Sequence, residues 1–193
     1  MVQKILILII LCVTTESIAE NNSIDELLKT RKKIESLFSL EDIKIVKDEL
    51  NKIFSNVKTD SAFSAHINSI LDTCSTSEKI ILETLKAFDN QYYQQLFENF
   101  LKLENKKVLF FGTSVSCHCT LEMCDEFLKE LISNSQKNGL HYLYIDAFYN
   151  NKLMRKYDAL FIPTAVILDK YNKVKSTIGT VDSLKDELNI IKK

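Results

Sequence analysis

Val108-Leu109-Phe110-Phe111 constrains the fold more than any other stretch of this chain. Four consecutive apolar residues, entered from Lys106-Lys107 and closed by Gly112, are the mark of a strand buried on both faces. The run leads through a short loop into Cys117-His118-Cys119-Thr120-Leu121-Glu122-Met123-Cys124, which reads as a helix beginning at cysteines. Three of the chain's five cysteines fall in these eight positions. A thiol at a helix N-terminus sits where unpaired N–H groups and the helix dipole favour thiolate over thiol.

Upstream of this run the apolar residues recur at helical spacing. Ser23 with Glu26 is a capping box that opens a helix carrying Ile24, Leu27, Leu28, Ile34 and Leu37. Ser39 with Asp42 can cap a second, with Ile43, Val46, Leu50 and Ile53 on its stripe. A third runs from about Asp60 to Cys74. Ser75 with Glu78 opens a long helical segment to Leu103 with a break near Asp89-Asn90. Only three glycines and one proline interrupt the chain, which favours helix and makes each breaker informative.

Downstream the pattern alternates. A helix from about Cys119 to Asn138 ends at Gly139, a residue suited to the left-handed cap. His141–Ala147 reads as a second strand, Asn150–Tyr157 as a short helix, and Thr164–Asp169 and Val174–Ile178 as two more strands. Tyr171-Asn172-Lys173 is a turn between the last two, so they form an antiparallel hairpin. Thr180 or Asp182 can cap a final helix carrying Leu184, Leu188 and Ile191.

The N-terminus reads as a targeting segment. Lys4 precedes the apolar run Ile5–Val13, and Ser17-Ile18-Ala19 places small residues before a cut at Glu20, the layout of a secretory signal peptide over 1–19. An uncleaved anchor and lipidation at Cys12 are the alternatives. Export, to a periplasm or an equivalent space, implies a disulfide-permissive setting. Cleavage leaves Cys74, Cys117, Cys119 and Cys124, whose pairing spacing alone does not choose. Charge is nearly balanced, 25 basic against 26 acidic residues, so nucleic acid is not an expected partner.

A βαβ unit followed by a hairpin and a terminal helix, with cysteines at the first helix and Phe161-Ile162-Pro163-Thr164 before a strand, resembles the thioredoxin superfamily, especially exported thiol–disulfide oxidoreductases. The spacing from Tyr144-Ile145-Asp146 through Tyr157-Asp158-Ala159 and Pro163 to Asp169 and Lys173-Val174, with Gly179 before the last helix, also resembles that family. The resemblance covers residues from about 90 to 193. It implies an α/β thioredoxin-like fold, a central mixed sheet flanked by helices, with Pro163 in a cis-proline loop that presents backbone to a substrate chain. The active-site loop departs from the usual C-x-x-C. Counting from Phe111, that motif's first cysteine falls on Ser116 and its second on Cys119, so this chain reads C-x-C over Cys117-His118-Cys119. Cys124 stands where the related run C-x-x-E-x-P has proline. The chain has no Trp, and Phe110 replaces the buried acid that many thioredoxins carry on this strand.

These readings make Cys117 the nucleophile, Cys119 the resolving thiol and His118 a residue that lowers thiol pKa. Cys124, on a helix face with Leu121, Leu128 and Leu131, is either a buried core cysteine or a further redox thiol. The expected function is thiol–disulfide exchange (as oxidase, isomerase or reductase) on exported proteins bearing cysteines, with a redox partner protein and no cofactor. Two other classes stand beside it: a Cu(I) or other soft-metal protein using Cys117, His118, Cys119 and Cys124, and a redox-silent interaction module of the same fold. The expected organisation is a helical region, 20–88, for dimerisation or partner binding, or else a packing layer over the sheet, followed by the thioredoxin-like domain, 89–193.

Overall fold

The structure, a computed structural model, describes residues 23–191; the expected signal peptide, 1–19, with Cys12, lies outside the described residues. Among the described residues five α-helices precede the first strand: α1 (Ile24–Ser36), α2 (Ile43–Ser55), α3 (Ser61–Thr73), α4 (Ser77–Gln91) and α5 (Tyr93–Lys102). The Ser23/Glu26 capping box forms in both directions: Ser23 Oγ accepts the Glu26 N–H at 3.2 Å, and Glu26 Oε2 accepts the Ser23 N–H at 3.0 Å. Two caps differ from the sequence expectation by local competition. Asp42 itself caps α2, accepting from Lys44 and Ile45, because Ser39 is taken into a short 3₁₀ turn, Leu37–Ser39. Thr76 rather than Ser75 caps α4, its Oγ1 accepting the Lys79 N–H at 3.1 Å. The helix break comes at Tyr92 instead of 89–90, since Asp89 is a buried partner within α4.

The second half places β1 (Lys107–Gly112), α6 (His118–Asn138), β2 (His141–Asp146), α7 (Asn151–Lys156), β3 (Thr164–Leu168), β4 (Val174–Ile178) and α8 (Val181–Ile191) in that order. The four strands form one mixed sheet in the order β2-β1-β3-β4. β1 runs parallel to β2, with Gly112 opposite Asp146, and antiparallel to β3, with Phe111 opposite Thr164. β3 and β4 are the expected antiparallel hairpin. The protein is thus a mixed α/β molecule with a four-stranded mixed sheet.

β1 is buried at every position, as its apolar run requires. Successive residues point to opposite faces of a strand. Phe110 stacks on Phe127 of α6 with centroids 5.5 Å apart, and Phe111 turns toward Tyr157 after α7. Gly112 is required by close approach, because a Cβ there would meet the Tyr144 ring at 2.6 Å. Gly139 closes α6 at φ 65°, the left-handed conformation in which a side chain is strained. Lys107, also buried, donates to the carbonyls of Leu101 and Leu103 at 2.9 and 2.7 Å, satisfying orphan acceptors at the end of α5.

The helical half packs against the sheet half in one hydrophobic core, which runs from Leu27, Ile34 and Leu50 through Leu85 and Phe88 to Tyr144 and Ile145. The boundary drawn at 88/89 lies inside the continuous helix α4. α4 lies along the outer side of β2, where the buried Asp89 accepts the Tyr144 N–H at 3.2 Å. Arg31 of α1 grips the same carboxylate with Nε at 2.7 Å and a second guanidinium nitrogen at 2.9 Å. It also pairs with Glu35 at 2.6 Å and stacks 4.4 Å from the Tyr142 ring centre. Between α4 and α6, Asp125 accepts from Lys86 at 2.5 Å and Lys79 at 2.6 Å.

Candidate functional site

The strand register brings three connections to one end of the sheet. The loop after β1, the loop after β2 and the segment entering β3 meet there, because Gly112 is level with Asp146 and Phe111 with Thr164. Asp146 ties two of them together: its Oδ2 accepts the Ser114 N–H at 3.0 Å and its Oδ1 the Phe148 N–H at 2.9 Å. Thr113 folds the loop further, its Oγ1 accepting the Val115 N–H at 3.1 Å. Pro163, buried and joined to Ile162 by a cis bond, stands directly before β3 at this same end. Thr164 Oγ1 donates to the Phe161 carbonyl at 2.6 Å beside it.

Cys117 occupies the N-cap of α6 in extended backbone, and the helix proper begins at His118. Cys117 and Cys119 are both free, exposed thiols, with Sγ atoms 2.8 Å apart. Thr120 Oγ1 lies 3.2 Å from the Cys117 sulfur. These contacts bring the Cys117 thiol down from its ordinary value to about 6: the hydrogen bond from Cys119 contributes most, those from Thr120 come next, and Ser116 adds less. The expected help from His118 takes another form. Its Nε2 pairs with Glu122 Oε1 one turn along the helix, at 3.0 Å, with both groups exposed. The imidazole is thus engaged with a carboxylate, and the donors to the sulfur are the Cys119 thiol, the hydroxyl and backbone N–H of Thr120 and, more weakly, Ser116.

Cys124 lies apart from this cluster. It is fully buried on the inner face of α6, and burial pushes its thiol up, against a hydrogen bond from the Thr113 backbone. Cys74 caps the C-terminus of α3, half-buried, and its thiol is also raised by burial. The structure therefore groups Cys117, His118 and Cys119 at the helix start, with Pro163 at the same sheet end, and places Cys124 in the core. Among the described residues no group of three or more His, Cys, Asp and Glu side chains is arranged to hold a metal, so the set Cys117, His118, Cys119 and Cys124 does not converge.

Three residues at the site were not singled out from the sequence. Asp146 was noted only as part of a strand, although an acid at the C-terminal end of a buried strand is an unusual core choice and could have been flagged. Thr120 and Glu122 follow from helical spacing once Cys117 is known to be the cap, since positions three and four apart share a face. The rim is apolar: Val115, Phe148, Tyr149, Leu160 and Phe161 are exposed on the three converging segments, Phe161 to 78%.

No family model matches the chain, and no curated protein matches its sequence. A solved structure titled "DsbH Oxidoreductase" aligns with 52% of this chain and 81% of its own, at 19% identity and a TM-score of 0.40.

Proposed function

We propose that this chain is a thioredoxin-like thiol–disulfide oxidoreductase acting on cysteine-bearing polypeptides, with Cys117 as nucleophile and Cys119 as resolving thiol. The observation that carries the reading is the exposed Cys117–Cys119 pair, Sγ to Sγ 2.8 Å, at the N-terminus of a helix, with the Cys117 thiol at about 6. A thiolate, not a thiol, attacks a disulfide, and at neutral pH this sulfur is mostly ionised. The sheet order β2-β1-β3-β4 and the cis Ile162–Pro163 bond at the end that bears Cys117 support the thioredoxin-like assignment.

In the reducing direction the Cys117 thiolate attacks one sulfur of a substrate disulfide. An S–S bond forms between Cys117 and the substrate, and the other substrate sulfur leaves as a thiolate. Cys119, losing its proton, then attacks Cys117 Sγ. The second substrate sulfur leaves as thiolate and takes up a proton, the substrate is reduced by two electrons, and the 117–119 pair is oxidised to a disulfide. The oxidising direction is the reverse, and a redox partner protein resets the pair. The apolar rim around the sulfur suits extended, unfolded polypeptide. An exported, disulfide-permissive setting after cleavage of 1–19 belongs to the same proposal, as does dimerisation through the N-terminal helices.

The test is trapping. Incubated with an oxidised or scrambled disulfide-bonded protein, reduced Cys119→Ser should accumulate a mixed disulfide through Cys117, and Cys117→Ser should form none and lose exchange activity. Full activity in Cys117→Ser would remove the nucleophile from this reading.

A further inference from the structure

Thr120 stands three residues after Cys117, the place where a C-x-x-C pair would carry its second thiol. In this chain the second thiol comes one residue earlier, at Cys119, and yet both side chains reach the Cys117 sulfur, at 2.8 Å from Cys119 and 3.2 Å from Thr120 Oγ1. We propose that the loop divides between two residues the tasks that a C-x-x-C pair combines in one: Thr120 holds the Cys117 thiolate through its hydroxyl, and Cys119 supplies the resolving sulfur. The proposal rests on Cys117 being the exchange nucleophile.

The two nearest side-chain donors differ in kind. Cys119 is a reactant. It gives up its proton to resolve, and its S–H is a weak donor. Two thiols in contact also share their ionisation, since the second charge is opposed by the first. The Thr120 hydroxyl does not titrate or react, and it donates whatever the state of Cys119. Its geometry is fixed locally: Cys117 is the N-cap and Thr120 the third helical residue, so the i,i+3 spacing stacks them on one side of α6. Thr120 is half-buried at the loop's foot, which restrains the hydroxyl, whereas Cys117 and Cys119 are open to solvent. No other hydroxyl is as near to the sulfur among the hydrogen bonds of the described residues.

The experiment isolates Cys117 in a Cys119→Ser protein, where resolution is absent and one loop thiol remains. The ionisation midpoint of Cys117 is read from the pH profile of its alkylation by iodoacetamide, located by peptide mass so that Cys74 and Cys124 do not contribute. Adding Thr120→Val, which removes the hydroxyl and keeps the shape, should move the midpoint upward and slow alkylation at pH 6 by about 3- to 10-fold. Thr120→Ser in the same background should restore both. A midpoint unmoved by Thr120→Val overturns the proposal. So does a midpoint that moves but is not restored by Thr120→Ser, since that would assign the effect to packing of the methyl group. Thr120→Ala gives the same readout if the valine protein does not fold. A wild-type protein with the low midpoint but no exchange on disulfide substrates would overturn the functional reading while leaving the role of Thr120 standing.

Discussion

Cys117 owes its acidity to donors rather than to enclosure, because the sulfur is open to solvent and its neighbours are hydrogen-bonding groups. This has a direct pH signature. Alkylation of Cys117 in the reduced protein should rise through about pH 6 and level off near pH 7.5, well below the midpoint of about 8.5 for an ordinary thiol. The sign for stability follows from the same shift. Between those two values the unfolded chain binds the proton and the folded chain does not, so the reduced protein gains stability as pH rises through that window. Oxidising the 117–119 pair should abolish the gain, and urea titrations of the two forms at pH 5 and pH 8 would measure it. At this scale the cysteines were legible in the sequence, because three thiols at a strand–helix junction are hard to read otherwise. Their donors were not. Thr120 looks like any helical threonine until Cys117 is fixed as the cap, and whether His118 turns to the sulfur or to Glu122 is a choice of rotamer that no pattern of letters encodes.

Between elements, α4 and α6 are joined by Asp125 with Lys86 and Lys79. Burial pushes the Asp125 carboxyl up, but the two ammonium groups outweigh it and hold the carboxyl below its ordinary range. Its contribution is therefore present above the unfolded value, about 3.9, and is lost as pH falls through the lower folded one. Asp125→Asn leaves the buried Lys86 with Glu83 alone and should cost about 3 kcal/mol at pH 7, with the deficit shrinking toward pH 3. Denaturant curves at the two pH values would check it; an equal deficit at both would mean the carboxylate charge is not what the pair contributes. The elements themselves were read closely from periodicity and breakers: all four strands and the left-handed Gly139 stand where the sequence put them, and Pro163 is cis as the family resemblance implied. The differences are shifts of a residue or three: the two caps move by local competition, and the helix break moves because a side chain has a tertiary use. Asp89-Asn90 resembled a helix break because Asp and Asn favour caps and turns. In the folded chain the Asp89 carboxylate is held by Arg31 and by β2, so it has no need of a turn.

Across the whole molecule, that same carboxylate joins the helical half to the sheet. Arg31 and Asp89 are 58 residues apart in the chain and both buried, and together they hold α1 and α4 to the outer side of β2. Arg31→Met should leave Asp89 buried without its main partner and destabilise the protein by about 3–5 kcal/mol. The loss should appear as a shift of one unfolding transition by circular dichroism. Two transitions, with the sheet half unmoved, would show that the halves stand independently. Such long-range pairing was not legible, because nothing in the sequence links one arginine on a helix to one aspartate on another. A further consequence concerns how copies of this chain meet. Strands at a sheet margin offer unpaired backbone to other strands. Here one margin, β2, is occupied by a helix and a carboxylate, and among the described residues only β4 is left with a free flank, lined by exposed Val174, Lys175 and Thr177. A sheet with a single free flank can be joined once and no further, so strand-to-strand pairing through the described residues would end at two molecules instead of running on into a ribbon.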